Sequence, residues 1–559
     1  MMLVVDVDST SEGTAEIPYW KIMTTLQHPK LGEIRGVIKG STRGFHGIKY
    51  ASLKDRFAEP ELISDYDGKI DATEYGPHVT SPASGCDREF ALIQQSLPKP
   101  EFTFSDLDGL SINVTVPNDS QASPQGGNGF PVFVFIHGGG FAIGSSGWPQ
   151  FDMSRFVSFS GENGTPLIAV TMNYRLGVPG FLTSQELRDA GYKSNNGLRD
   201  QRTALQWIKQ NIAGFGGDPD NVTVAGESAG AASAWYHLHS KQPLFKRLIL
   251  LSGSGLLSPP LAPPVTEFAY SSVTKALGLD GLSPEERVKA IVNLPADELL
   301  AKTPRVPLLP ALDGDVIPVE TSFDKVSKLA KSTAEFPGIE WCEDLLVGAC
   351  QFDGSVMSVL IPNAATSTPS TLYDRFTTAT TTTLPASAST TTTSLLTTYN
   401  PSATKHPLLH FATDLLFHAP VHFIATAWPR PTRSFAYFFN EPNPWDGPFK
   451  GYATHVLDVA FLFLNFEGCF GEGDDAEREA ERRKAVGRGF AGDLGGFCYG
   501  RGVGGCWEEG KARVYGGFEK GGVVGEVGKG EVGRGVFEFG EAVGFDVLMK
   551  VWGGIMRGD

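Results

Sequence analysis

The sequence predicts an α/β protein built on a largely parallel central sheet with helices on both faces, and three observations carry that prediction. Short runs that are almost wholly apolar recur at 132–136, 167–171, 222–225 and 248–251. Strands covered by helices on both faces read this way, whereas a strand with one wet face alternates. Between the runs lie stretches with helical spacing. Leu198, Ala204, Leu205, Trp207, Ile208 and Ile212 fall on one such stretch at 197–212, and 229–239 forms another. Strand and helix in alternation give parallel strands joined by crossovers. The third apolar run ends in Gly226-Glu227-Ser228-Ala229-Gly230, a tight passage from strand into helix.

Composition bounds what such a protein does. The chain has 559 residues, 41% of them hydrophobic and 20% charged, enough to bury a sizeable core. A formal net charge of −16 argues against a nucleic-acid partner, because phosphate binding needs a basic surface. The N-terminal Met1-Met-Leu-Val-Val5 run is broken at once by Asp6 and Asp8, so no signal peptide is expected. No run of about 18 apolar residues is evident, so no membrane span is expected. Six cysteines without a Cys-x-x-Cys pair support neither a disulfide scaffold nor a structural zinc site. Residues 364–404 are rich in Thr, Ser and Ala, which predicts a mobile loop or lid segment. Residues 468–559 hold a disproportionate share of the 66 glycines, a poor source of regular structure, although Phe490, Phe497, Tyr499, Trp507 and Trp552 offer docking groups.

Ser228 is the candidate nucleophile. A turn this tight strains the serine backbone and exposes Oγ, and side chains at the flanking glycines would clash. The helix that begins there also points its positive end at the site. A glycine-rich turn without chemistry is the alternative, and a second element weighs against it. His137-Gly138-Gly139-Gly140-Phe141 directly follows the apolar strand 131–136. Three glycines let backbone N–H groups converge on an oxyanion, and Gly139, Gly140 and Ala229 are the candidate donors. A phosphate loop would need a Lys-Ser/Thr ending, which is missing. Glu227, beside the nucleophile, either tunes the electrostatics of the pocket or is a buried, hydrogen-bonded carboxylate.

These segments resemble the type-B carboxylesterases, the α/β-hydrolases that include cholinesterases and neuroligins. The resemblance extends to Gly32-Glu-Ile-Arg-Gly36, Phe45-His-Gly-Ile-Lys-Tyr-Ala51, Asn173-Tyr-Arg-Leu-Gly177, Asn196-Gly-Leu-Arg-Asp-Gln201 and Phe215-Gly-Gly-Asp-Pro219. It implies an α/β-hydrolase fold with helical and loop insertions. On this reading residues 1–29 are an N-terminal extension, 30–467 the catalytic domain and 468–559 a glycine-rich region that continues it weakly. It also implies a serine hydrolase of small-molecule carboxylic esters that uses neither metal nor organic cofactor.

The resemblance nominates the remaining triad members. Leu345-Leu-Val-Gly-Ala-Cys-Gln-Phe-Asp-Gly354 is similar to the segment that carries the family's acid, which points to Asp353, where most members have Glu. Asp-Gly is also a common turn pair, and Asp313 and Asp315 compete. Gly451-Tyr-Ala-Thr-His-Val-Leu-Asp458 resembles the family's histidine loop, with an acid three residues on, which points to His455. His406, His410, His418 and His422 lack that context, and His137 reads as structural. The order Ser228, Asp353, His455 is that of α/β-hydrolases. Secreted members usually carry a cysteine where this chain has Gly109, and no cysteine follows Leu251-Ser-Gly253 through Leu300. Both departures fit a reducing, cytoplasmic setting. A catalytically silent binding protein of the neuroligin kind would lack the nucleophile that this chain keeps.

Overall fold

The computed structural model describes residues 22–118, 129–361, 367–399, 406–429, 431–471, 474–504, 507–517, 524–528 and 534–558. Thirteen strands form one sheet. In chain order they are β1 (Ile22–His28), β2 (Gly32–Lys39), β3 (Thr42–Lys49), β4 (Lys69–Asp71), β5 (Ser111–Pro117), β6 (Phe130–Ile136), β7 (Ile168–Met172), β8 (Gly217–Glu227), β9 (Arg247–Leu251), β10 (Asp344–Cys350), β11 (Arg433–Phe439), β12 (Lys511–Tyr515) and β13 (Val524–Gly528). The spatial order is β1-β2-β3-β5-β7-β6-β8-β9-β10-β11-β12-β13, with β4 on β2. From β7 to β12 every neighbour is parallel. The path from β1 to β7 is antiparallel, as is β12 with β13.

The four apolar runs of the sequence are β6, β7, β8 and β9. Successive residues point to opposite faces of the sheet, and two cores result. Val132, Val134 and Ile136 of β6 join Val224, Leu248 and Leu250 on one face. Phe133 and Phe135 join Ala225, Ile249 and Leu251 on the other. Helix α1 (Asn196–Asn211) is shifted by one residue from the predicted span 197–212, and α2 (Ala229–Tyr236) lies within 229–239.

The sheet reaches further than the boundaries drawn from sequence. It starts at Ile22 rather than residue 30, and β12 and β13 carry it past residue 467. Residues 1–21 lie outside the described residues.

The Thr-rich segment corrects the loop expectation. It folds into α3 (Pro369–Thr383) and α4 (Ser389–Thr398). Thr380, Thr381, Thr382, Thr393 and Thr397 each return a hydroxyl hydrogen bond to the carbonyl four residues back, and Leu372, Phe376, Ala379 and Leu395 are buried. Composition counts the threonines as polar, but these five hydroxyls are satisfied within their helices. Residues 364–366 and 400–404 of this segment are outside the described residues.

The tail corrects a second expectation. It contains α6 (Asp474–Cys498), α7 (Arg534–Val543) and α8 (Phe545–Arg557), besides β12 and β13. Glycines allow close packing here. A Cβ on Gly487 would stand 2.8 Å from the Phe461 carbonyl oxygen, and one on Gly495 2.8 Å from Thr165 Oγ. Phe490, Phe497, Trp507 and Trp552 are buried, and the Tyr499 hydroxyl donates to the Pro166 carbonyl at 2.6 Å.

Between α4 and β11 runs α5 (His406–Ala427), whose middle turn, Asp414–His418, is wound as a π-helix. Among the described residues this one helix is long and apolar enough to cross a membrane by length and composition, which the sequence reading did not anticipate. Its most apolar 18 residues are 72% buried inside the protein, as befits a core helix.

Candidate active site

The site forms where β6, β8 and β10 reach their carboxyl ends, the edge at which parallel sheets present their loops. β8 passes into α2 within one residue, and Ser228 takes φ 55° and ψ −118°, a left-handed backbone that non-glycine residues rarely adopt. The flanking glycines make the turn possible. A Cβ on Gly226 would strike the Gly230 carbonyl, and one on Gly230 would strike the Ile136 carbonyl. The Ser228 N–H donates to the Leu251 carbonyl at 2.9 Å, tying the elbow to β9.

The loop after β6 lies beside it. Gly139 and Gly140 have φ of +94° and +62°, and Phe141 has φ 60°. A Cβ on Gly138 would collide with Glu227, so this backbone lies directly against the nucleophile's neighbour. Among the described residues, none of the Gly139, Gly140 and Ala229 amides donates to another backbone carbonyl. The loop is supported from β7. The Tyr174 hydroxyl donates to the His137 carbonyl at 2.8 Å, and the Gly177 N–H donates to the Phe141 carbonyl at 2.7 Å. His137, the residue read as structural, stacks on Tyr174 with ring centroids 4.6 Å apart. Burial holds its pKa down at about 4.

Two loops distant in sequence deliver the other groups. Phe352, after β10, forms a β-bridge with Thr454, and its N–H donates to the Ala453 carbonyl at 2.8 Å. That bridge sets the next residues, Asp353 and His455, side by side. His455 Nδ1 is 2.8 Å from Asp353 Oδ1, and Nε2 is 2.9 Å from Ser228 Oγ. The other acid oxygen, Oδ2, accepts the Cys350 N–H at 2.7 Å. Asp353 and His455 are buried, while Ser228 keeps some exposure. All three nominated side chains therefore meet, and Asp313 and Asp315 do not. Those two lie at Asn195 and Arg199, at the N-terminal end of α1.

A group of carboxylates surrounds His455, of which the sequence reading named Glu227 and Asp458 and missed Glu89. Glu227 Oε1 is 3.2 Å from Nε2, and burial, helped by Glu89, Asp458 and Asp353, pushes the Glu227 pKa well above the ordinary value. Burial raises Glu89, on the helix Gly85–Ile93, to about 7, against a hydrogen bond from Gln150 at 2.9 Å. Burial and the Asp353 charge raise Asp458, which accepts from Tyr437 at 2.7 Å and Ser252 at 3.2 Å. The acid three residues after His455 was visible in sequence. Its partners on β11 and after β9 were not, because only the sheet order brings them together. Among the described residues, no group of three or more His, Cys, Asp and Glu side chains is arranged to hold a metal ion.

The carboxylesterase family model matches residues 22–485. The chain belongs to the carboxylesterase family. It is 29% identical over 464 residues to the para-nitrobenzyl esterase of Bacillus subtilis (strain 168), covering 80% of this chain and 84% of that one. It is also 29% identical over 458 residues to the bile salt-activated lipase of Mus musculus, covering 75% and 69%. A solved thermophilic PNB esterase superposes with a TM-score of 0.70 over 92% of this chain and 99% of its own, at 23% identity, a likeness of fold. A second PNB esterase gives 0.61 over 84% and 91%, at 26% identity. This carboxylesterase thus has the α/β-hydrolase fold and is a carboxylic-ester hydrolase acting on small-molecule esters.

Proposed function

We propose that the enzyme cleaves esters through a Ser228–His455–Asp353 triad and an acyl-enzyme intermediate. The observation that carries the reading is His455, which lies between Ser228 Oγ at 2.9 Å and Asp353 Oδ1 at 2.8 Å. A serine hydroxyl is a weak nucleophile until a base takes its proton. His455 Nε2 removes that proton as Oγ attacks the ester carbonyl. Asp353 holds the ring by its Nδ1–H and stabilises the imidazolium that forms. The carbonyl oxygen becomes an oxyanion, which the Gly139, Gly140 and Ala229 amides receive. Such a donor is worth roughly 3–4 kcal/mol. His455 then protonates the leaving alcohol, and water repeats the attack on the acyl-enzyme. Asp replaces the family's usual Glu, and the short link from β10 to Asp353 brings the carboxylate within reach.

Ser228→Ala tests this on short-chain p-nitrophenyl esters. Removal of the nucleophile is expected to lower kcat by roughly 10⁴-fold or more, and turnover equal to wild type would sink the assignment. His455→Ala should match it.

A reducing, cytoplasmic setting remains our proposal as well. Cys86, Cys342, Cys350, Cys469 and Cys498 are unpaired. Cell fractionation that placed the protein in a secretory compartment would count against it.

A further inference from the structure

We propose that His418 is a positioning residue for Asp353, an imidazolium that fixes the strand end on which the acid is mounted. The inference rests on the triad reading above. The π-turn of α5 and the residue before it bring three side chains, Thr413, Phe417 and His418, to the acid loop and its histidine, and such turns recur at functional sites. Thr413 Oγ accepts the Gly354 N–H at 2.9 Å. The Phe417 ring meets the His455 ring edge-on, with centroids 5.4 Å apart. His418 Nε2 lies 3.1 Å from the Cys350 carbonyl oxygen. A Cβ on Gly354 would collide with the Leu409 carbonyl, so helix and acid loop touch backbone to backbone.

The protonation of His418 follows from its partners. Nε2 faces a carbonyl, and Nδ1 lies 3.4 Å from Asp414 Oδ1. Both are acceptors, and a neutral imidazole has one N–H, so it would set a lone pair against an oxygen. The imidazolium satisfies both. Asp414 is held in turn by the Tyr399 hydroxyl at 2.7 Å. On the other side, the same Cys350 residue donates its N–H to Asp353 Oδ2. A continuous polar path therefore runs from Tyr399 through Asp414, His418 and the end of β10 to Asp353, His455 and Ser228.

The groups facing His418 are Asp414 and His410 on its own helix, Asp353 and the Cys350 carbonyl from the acid loop and β10, and the Phe438 ring of β11 at 5.5 Å. Burial lowers the His418 pKa, but Asp414, the Cys350 carbonyl and Asp353 outweigh it and leave it raised. The sign follows. The imidazolium is fully present below the ordinary imidazole value and is lost as pH rises through the raised folded value, so positioning fails on the alkaline side. Beyond burial, Glu227 and Asp458 both feel the Asp353 charge, which raises their pKa values, and His418 feels the same charge as an attraction.

The test is kcat and KM against pH for wild type, His418→Gln and His418→Phe, with Ser228→Ala and Asp353→Asn alongside. Rates for wild type and the His418 variants are expressed per site titrated by an organophosphate, so unfolded protein drops out, and those for Ser228→Ala and Asp353→Asn are expressed per chain. Glutamine can still donate to the Cys350 carbonyl but cannot carry charge. It is expected to lower kcat about tenfold with KM within about twofold, and to flatten the alkaline fall. Phenylalanine, which does neither, is expected to cost about 100-fold, the scale of a small misplacement of a catalytic group. Wild-type kcat and pH profile in His418→Gln, or a change in KM alone, would overturn the proposal while leaving the triad standing. Activity in Ser228→Ala would overturn the triad itself.

Discussion

Glu227 stands next to the nucleophile, with Oε1 3.2 Å from His455 Nε2, and among the described residues that oxygen accepts no hydrogen bond. A carboxylate there would be a buried, uncompensated charge, costly by several kcal/mol. Burial raises its pKa well above the ordinary carboxyl value, which favours the neutral form. Glu227→Gln mimics that neutral form. It should cost no more than about tenfold in kcat at pH 7, against roughly 10⁴-fold for Asp353→Asn, whose loss removes the orienting carboxylate. A larger loss in Glu227→Gln would mean that the carboxyl works ionised. Glu89 gives a pH test. Its folded-state pKa of about 7 lies above the ordinary 4.5, so its stabilising share is full below about 4.5 and lost as pH rises towards 7. The loss at pH 8 is on the order of 3 kcal/mol. Glu89→Gln should therefore raise the thermal midpoint relative to wild type at pH 8 and change it little at pH 4. Equal shifts at both pH values would contradict the burial argument.

At the scale of elements, the motifs that carried the resemblance turn out to be joints. Arg175, in Asn173-Tyr-Arg-Leu-Gly177, is 2% exposed, and Asp200, in Asn196-Gly-Leu-Arg-Asp-Gln201, is 0% exposed. The guanidinium donates to both Asp200 oxygens at 2.8 and 2.6 Å and to the carbonyls of Arg56 and Ala58. Asp200→Ala strands a buried cation, so an unfolding free energy lower by about 3–5 kcal/mol is expected in denaturant titration. A change below about 1 kcal/mol would show that water reaches the pair. Motifs of this kind are legible because one residue type alone fits each place, as with Gly226 and Gly230. Helices α3, α4 and α6 were not legible, because threonine and glycine lower local propensity and tertiary packing overrides it. Leu372 and Phe376 enter one core, Phe490 and Leu494 the other, and no local pattern announces either.

Across the whole molecule, the parallel block β7-β6-β8-β9-β10-β11-β12 was readable at its centre, where apolar runs and elbow agree. It was obscure at its margins. β12 and β13 sit in glycine-rich sequence, and β1 lies ahead of the first recognisable motif. The site followed the same gradient. Ser228 and its glycines are consecutive in sequence and were plain, whereas Asp353 and His455, 102 residues apart, needed the family pattern to be found. His418 lacked any such pattern, because its role exists only where α5 crosses the end of β10. The claim that joins these scales is that one serine, activated by His455, carries the acyl group. Intact-mass measurement after reaction with diethyl p-nitrophenyl phosphate tests it most directly. One diethylphosphoryl group per chain, mapped to Ser228, with matching loss of ester turnover and no adduct on Ser228→Ala, is the predicted result. An adduct on another residue, or undiminished turnover by fully labelled enzyme, would contradict it.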